Sequence, residues 1–438
     1  MKNKYLLLLL LLISIFLSSS CKKTTIKSSL PLKNDDVIPL KNNEENSELL
    51  PLIEYIETKE PSNPSFQDIF DYYDLEGHDY SEYKDLDNIH YDEGLAVYSF
   101  VFNLDEAKLK ELEEITKPNE LKNQVIKRVL CIKEFRQALS FSIDRSAYCK
   151  AQDTPTLPIN SIFTSAYIMD KENGLMCKPL RVDNYGYNLG EAKRLFDEAF
   201  DKAVSLGFIN DTENFEVPIK LMDGRAESSF KAQRDYDLLV GFFENGIKGT
   251  KFEGHVYFYL SEPLVMYPSW HFKNGNVDIL YNVGWTSNDM NPYALLDAYF
   301  NPEYMYDYYF DTKSEYIGYT LGDEKYKSTL YDLAVTLFKG KEIKAFKVVN
   351  GIMSSEYELI SLEDKRISKY KILSFLESYI LDILHIVPLY CDAHPYYSSP
   401  NVLYPITSNV YNMNNNIKYI TYMYNDEEWI NYINSNLE

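Results

Sequence analysis

The chain has 438 residues, with 44 Lys and Arg against 66 Asp and Glu, a formal net charge of −22 and 45% hydrophobic residues. That hydrophobic content builds one or two globular cores, excludes a mostly disordered chain, and at this length suits two lobes or one large domain. The negative balance leaves no basic surface to displace counterions, which excludes nucleic acid as the partner. The 39 Tyr and 23 Phe suit grooves, cores and interfaces alike, and a compositional bias toward Asn, Lys, Ile and Tyr accounts for them equally.

Residues 1–21 read MKNKYLLLLLLLISIFLSSSC. Lys2 and Lys4 form a positive n-region, Leu6 to Leu17 an apolar run too short for a comfortable membrane span, and Ser18, Ser19 and Ser20 lead directly into Cys21. This resembles a bacterial lipoprotein signal. The resemblance implies removal of residues 1–20, acylation of Cys21 (palmitate included) as the mature first residue, export and a membrane anchor. An ordinary secretory leader is the alternative. Residues 21–65, rich in Lys, Asn, Glu, Ser and Pro, read as the acylated cysteine and a flexible tether. No later apolar run approaches about 18 residues, so the body reads as soluble. Cys131, Cys149, Cys177 and Cys391 lack the close spacing of a redox or zinc motif, and either buried thiols or one or two disulfides fit them.

Residues 66–93 (FQDIFDYYDLEGHDYSEYKDLDNIHYDE) are acidic and aromatic without a clean period. They match no calcium loop and read as a solvated acidic face. From Gly94 onward strands and helices alternate. Ala96 to Leu104 is a predicted strand. Asn188 and Glu191 form a capping box. The helix it opens carries Ala192, Leu195, Phe196, Ala199, Phe200 and Ala203 on one face and ends at Gly207. Phe215, Val217, Ile219 and Leu221 alternate as a strand; Phe230, Leu238, Leu239, Phe242 and Phe243 fit a second helix; His255 to Leu260 fits another strand. Val277 to Val283 is a short apolar strand leading to Gly284 and Trp285. Three helical stretches are predicted between about Asp323 and Leu384, then a strand, IVPLY, from Ile386. The alternation argues for an α/β fold. No internal repeat is evident.

Templates for catalysis fail. GxSxG, HExxH, the P-loop and the dinucleotide fingerprint are all missing, and the six histidines show no metal-ligand spacing. In so acidic a chain no carboxylate pair stands out for acid–base work. The expectation is a protein that is not an enzyme and takes no metal and no cofactor.

Three segments are more specific: KEFRQALSFSIDRSAY (Lys133 to Tyr148), YGYNLGEAKRLFDEA (Tyr185 to Ala199) and NGNVDILYNVGWTSNDMNPYALLDAYF (Asn274 to Phe300). In this order and spacing they resemble the solute-binding lipoproteins of oligopeptide ABC transporters, extracellular solute-binding protein family 5. AVYSFVFNL resembles that family's entry strand to its second lobe, and IVPLY its return toward the first. The resemblance covers roughly Gly94 to Tyr424. It implies an α/β, two-lobed periplasmic-binding-protein-like fold of type II, the second lobe nearly complete and the first reduced, because few residues precede Arg136. The implied organisation is a leader (1–20), tether (21–65), partial first lobe (66–94), second lobe (95–385) and return to the first lobe (386–438).

Arg136, Asp144 and Arg145 read as structural ion pairs. The turn after the Val277 strand differs, offering an aromatic plane from Trp285 and hydrogen-bonding groups from Asn288, Asp289 and Asn291 at a strand C-terminal end, where ligands tend to bind. In the family, an acidic residue three positions after this tryptophan pairs with the peptide ammonium. Here that position is Asn288, whose amide gives no charge-assisted bond, with Asp289 beside it. The resemblance implies a monomer that captures oligopeptides outside the cytoplasm and delivers them to an ABC permease in the inner membrane. The alternative is a degenerate surface interaction lipoprotein that keeps the lobe as scaffold without transport. A glycosidase with aromatic platforms is a third, weaker reading.

Overall fold

Strand pairing brings the two ends of the chain body together. In a computed structural model the strands in chain order are β1 (Tyr72–Asp74), β2 (Ile89–Phe102), β3 (Gln124–Val125), β4 (Thr156–Pro158), β5 (Ile168–Asp170), β6 (Leu175–Met176), β7 (Phe215–Asp223), β8 (Val256–Leu260) and β9 (Ile279–Trp285). They continue with β10 (Tyr316–Leu321), β11 (Glu324–Thr329), β12 (Ile343–Val349), β13 (Ile352–Met353), β14 (Glu358–Ile360), β15 (Ile386–Ser398), β16 (Val402–Leu403) and β17 (Thr421–Tyr422). The structure describes residues 72–398 except 76, 78, 87–88, 119–121, 171–174, 178–181, 226–228, 262–267, 288–289, 301–312, 314–315, 340–341, 362–365 and 384–385, together with 402–403 and 421–422. All of these belong to one unit, Ile38–Glu438. Cys21, the leader and the tether lie outside the described residues.

The larger sheet has eight strands in the order β1-β15-β2-β9-β7-β3, with β4 also on β15 and β8 also on β7. β7 runs parallel to β3, β8 and β9, whereas β2 is antiparallel to both β9 and β15. The α/β architecture is therefore a mixed sheet with helices against it. The boundary expected at 94/95 falls inside β2, and the one at 385/386 falls at the start of β15, the strand that pairs with β2.

Helix Leu189–Ser205 follows the predicted pattern. Asn188 caps it, its side chain accepting from Glu191 N at 3.1 Å. The Glu191 carboxylate turns to Arg194 instead of back to the cap, so only half the capping box forms. Ala192, Leu195, Phe196, Ala199, Phe200 and Ala203 are all buried. Gly207 (φ 69) then ends the helix in a conformation open to glycine. That apolar stripe packs on helix Lys133–Ser142, where Phe135 meets Phe196 and Phe252 edge-to-face at 5.4 and 5.2 Å. Helix Ser229–Ile247 crosses the same region. At Gly246 an added Cβ would stand 2.0 Å from Ser142 Oγ, so only glycine allows the approach.

Two expectations are corrected. The acidic aromatic segment is not merely a solvated face: β1 pairs with the end of β15, and Leu75 and Tyr83 bury against Tyr397. Between Asp323 and Leu384 the described residues hold two helices, Leu330–Lys339 and Arg366–Ile383, and strands β11 to β14. With β10 these make a five-stranded antiparallel sheet. Ile343 and Ala345 bury while Lys344 between them is exposed, a period of two that such short strands hide within a charged run. The four cysteines are free thiols. Burial pushes Cys131 and Cys149 up to about 12, which makes them poor nucleophiles.

Candidate functional site

The expected turn begins at the C-terminal end of β9, and a slip in register decides where its side chains point. Val283 faces Ser99 and Leu280 faces Val101, so Tyr281 and Asn282 together oppose the single residue Phe100. This is a β-bulge. Asn282 takes φ 55 there, a left-handed conformation that asparagine tolerates better than most residues. Ile279 and Tyr281 face the helical core. Asn282 points the same way, donating to Asp223 at 3.2 Å and Asp235 at 3.1 Å. Strict alternation would have sent Trp285 to that side too. The bulge moves it to the opposite face, beside its strand partner Val97.

Trp285 is 8% exposed and its ring packs on Tyr299, 5.0 Å between centroids. The ring is thus an interior contact, which corrects the expectation of an open aromatic plane. Asn291 accepts from Tyr293 N at 3.0 Å and so caps helix Pro292–Phe300. Ser287 N donates to the Tyr167 hydroxyl, which donates to Leu95 O. Met290 O accepts from Ile168 N at 2.8 Å. The turn is stitched to its surroundings on both sides. Asn288 and Asp289 lie outside the described residues.

At the same end of the parallel strands is a charged network that the sequence reading missed. β7 ends at Asp223, and the next described residues turn back so that Arg225 grips it. Arg225 Nη2 donates to Asp223 and to Asp235, both at 2.7 Å, and its Nε donates to Asp223 at 3.1 Å. Asp235, fully buried on helix Ser229–Ile247, also accepts from Arg234, Gln152 and Asn282. The Tyr148 hydroxyl donates to Asn282 Oδ1 at 3.0 Å. Beyond it Tyr148, Tyr390 and Tyr98 form a stack, with centroids 5.8 and 4.8 Å apart. The sequence signal that could have found it is Asp223-Gly224-Arg225, one residue beyond a predicted strand.

Electrostatics explain why this network holds. Burial alone would push the Arg225 guanidinium down. Hydrogen bonding by Asp223 and the charges of Asp223 and Asp235 outweigh that and hold it well above its ordinary range. Two buried carboxylates against two guanidiniums make the inner part neutral. Arg225 is 17% exposed at the side chain, and its Nη1 makes no hydrogen bond among the described residues. With two carboxylates at its back, that edge suits a neutral acceptor such as a peptide carbonyl better than a free carboxylate.

Two of the three sequence segments meet here, and the second is tied to the first. Tyr148 comes from the first and Asn282 from the third. Arg145 of the first donates to Tyr185 O of the second at 2.9 Å and to Pro388 O at 2.8 Å. Asn188 N of the second donates to Phe141 O. The expected ion pairs take another form. Arg136 and Arg145 bind backbone carbonyls, Arg136 those of Leu130 and Ile383, while Asp144 caps helix Arg145–Lys150. Among the described residues no group of three or more His, Cys, Asp or Glu is arranged to hold a metal ion. Nor is any helix among them long and apolar enough to cross a membrane.

No protein-family model matches the chain, and no curated protein matches it. Solved structures do. Listeria monocytogenes OppA bound to peptide is 12% identical, with 74% of this chain and 48% of that one covered at a TM-score of 0.44. The substrate-binding domain of an oligopeptide ABC transporter from Bacillus anthracis is 15% identical, covering 76% and 51% at 0.45. A periplasmic oligopeptide-binding protein from Borrelia burgdorferi is 17% identical, covering 78% and 51% at 0.39. The chain spans about half the length of these proteins.

Proposed function

We propose that the chain is a lipid-anchored extracytoplasmic solute-binding protein that captures oligopeptides for an ABC permease. The observation that supports this reading is that the first and third sequence segments meet, through Tyr148 and Asn282, at the C-terminal ends of parallel strands β7 and β9. That is where α/β sheets take ligands. In this reading Arg225 offers Nη1 to a peptide carbonyl, and Asp289, beside Asn288, takes the ammonium. Trp285 and Asn291 hold the turn in shape from behind. Residues 95–385 serve as the second lobe and residues 66–94 with 386–438 as a reduced first lobe. No catalysis is assigned.

The full chain, purified and denatured, should release short peptides detectable by mass spectrometry. Calorimetry with a mixed peptide library should then show binding that Arg225→Lys weakens and Asp289→Asn weakens only for peptides with a free amine. Cys21→Ala should release the protein from the membrane fraction. Absence of any bound or titratable peptide would overturn the capture reading. One observation favours a second reading, a surface lipoprotein that keeps the lobe as scaffold: Trp285 is packed away. In that case no peptide binds, while Cys21→Ala still detaches the chain.

A further inference from the structure

An edge strand carries a row of unpaired N–H and C=O groups, a ready template for another strand unless something blocks it. Among the described residues every edge strand except β8 and β10 has three residues or fewer. β8 is guarded. Val217 N donates to His255 O and Ser261 N to Leu221 O, so those residues of β8 face β7. By alternation Phe258 faces outward, and its carbonyl accepts from the Tyr236 hydroxyl at 2.8 Å. The side chain from helix Ser229–Ile247 thus covers that edge.

β10 has no such guard. Its sequence, YIGYTL, holds no charge and no proline, and it pairs with β11 without a bulge from Tyr316 to Leu321. Gly322 (φ 61) opens the two-residue turn that brings Glu324 opposite Leu321. Such a turn makes those two residues a hydrogen-bonded pair. Alternation then points the N–H and C=O of Ile317, Tyr319 and Leu321 at β11, and those of Tyr316, Gly318 and Thr320 outward. Side chains alternate as well. Ile317, Tyr319 and Leu321 are buried on one side of the sheet, and Tyr316, Gly318 and Thr320 are exposed on the other.

We infer that β10 pairs antiparallel with β10 of a second copy of this chain. The outward groups are symmetric about Gly318, with Tyr316 two residues before it and Thr320 two after. A twofold axis through Gly318, perpendicular to the sheet, sets Gly318 against itself, Tyr316 against Thr320 of the second copy, and Ile317 against its Tyr319. Buried residues then meet buried ones and exposed residues meet exposed ones. About six hydrogen bonds satisfy every outward group of the strand, and aromatic and β-branched side chains meet across the join. This self-match selects a second copy over an unrelated extended segment. The contact is isologous, so assembly stops at two copies. In a chain of net charge −22, a strand free of charge is also where two copies repel least. The dimer replaces the monomer that the family resemblance implies, and it is independent of any peptide site.

The test is disulfide mapping on the full chain, with diamide as the oxidant that takes up the two thiol hydrogens. An added Cβ at Gly318 meets only Tyr326 O, at 3.9 Å, so Gly318→Cys fits the fold. The twofold axis sets the two Cα atoms of position 318 about 5.5 Å apart, within the span of a disulfide. Positions 316 and 320 each lie at least about 13 Å from their own counterparts. Gly318→Cys should therefore give cross-linked dimer roughly tenfold above Tyr316→Cys, Thr320→Cys and the wild-type background. A leader or acyl anchor concentrates all of these alike, so the pattern is the readout. Thr320→Pro loses an outward N–H, which an edge strand tolerates. It should leave circular dichroism unchanged and cut the Gly318→Cys cross-link roughly tenfold or more, by removing a hydrogen bond from each copy. In the wild type, the Gly318 and Thr320 amides should exchange with solvent more slowly as protein concentration rises. Equal cross-linking at all three positions, a cross-link that survives Thr320→Pro, or exchange that ignores concentration would overturn the inference. Peptide binding that Thr320→Pro abolishes, without any Gly318→Cys cross-link, would make a peptide the occupant and overturn it too.

Discussion

Replacing Asn282 perturbs the bulge and the charged network together, and the two contributions separate by choice of substituent. Its side chain donates to Asp223 and Asp235 and accepts from Tyr148, and both Tyr148 and Asp235 are fully buried. Asn282→Ala leaves the Tyr148 hydroxyl without its acceptor and removes two donors from carboxylates, at about 1–3 kcal/mol per stranded group. It also places a residue that dislikes φ 55 in the left-handed region, about 1 kcal/mol more. The expected loss is about 3–5 kcal/mol. Asn282→Gly makes the same polar loss but accepts the backbone, so it should be about 1 kcal/mol more stable than alanine. Asn282→Asp sets a third carboxylate against Asp223 and Asp235. Its defect should be largest near neutral pH and should shrink on acidification, because the folded state then favours the protonated form. Urea unfolding followed by tyrosine circular dichroism and tryptophan emission measures all three. An alanine variant at least as stable as glycine would refute the backbone part. A cost below about 1 kcal/mol for both would refute the network part.

Three further outcomes are expected. Burial lifts the Glu377 carboxyl from 4.5 to about 7, against the lowering effect of the backbone donors Phe163 and Ile162. The folded state then keeps a proton that the unfolded state has lost, so this group's contribution to stability falls as pH rises from about 4.5 to 7 and is flat above. The shift corresponds to about 3 kcal/mol, and Glu377→Gln should be relatively more stable than wild type at pH 8 than at pH 5; parallel pH–stability curves would contradict this. Trp285→Ala should cost about 3–5 kcal/mol in unfolding free energy, because the ring is interior against Tyr299; a near-neutral effect would return the ring to the surface. Gly246→Ala should destabilise by about 1–3 kcal/mol through overlap with Ser142, and Ser142→Gly in the same chain should recover part of it in thermal melts.

The elements most legible in the sequence were those whose apolar period is long and uninterrupted. Helix Leu189–Ser205 shows its cap, stripe and terminal glycine in one stretch, and Phe215 to Leu221 shows four alternating apolar residues. The five-stranded sheet was illegible because its strands are short and mix Lys, Glu and Tyr. Their buried residues make sense only once cross-strand partners are known. The site was half legible. The end of β9 was visible as a place, whereas the destination of Trp285 depended on a single bulged residue that no periodicity reveals. Asp223, Arg225 and Asp235 belong to no sequence motif, because the network joins a strand end, a turn and a helix.

β15 is inserted between β1 and β2 and also pairs with β4. The contact of Ala96 N with Asp392 spans 296 positions of sequence. The middle of the larger sheet is thus closed by a strand that emerges after nearly nine-tenths of the chain. Such long-range closure is slow, since most of the loop entropy is spent before any pairing rewards it. Until β15 arrives, β2 presents an unpaired edge of Val, Phe and Tyr along its length, a template for association with other chains. During synthesis the nascent chain therefore has a long interval in which holdase chaperones find it extended. Late arrival of the keystone strand therefore sets how long the larger sheet stays open.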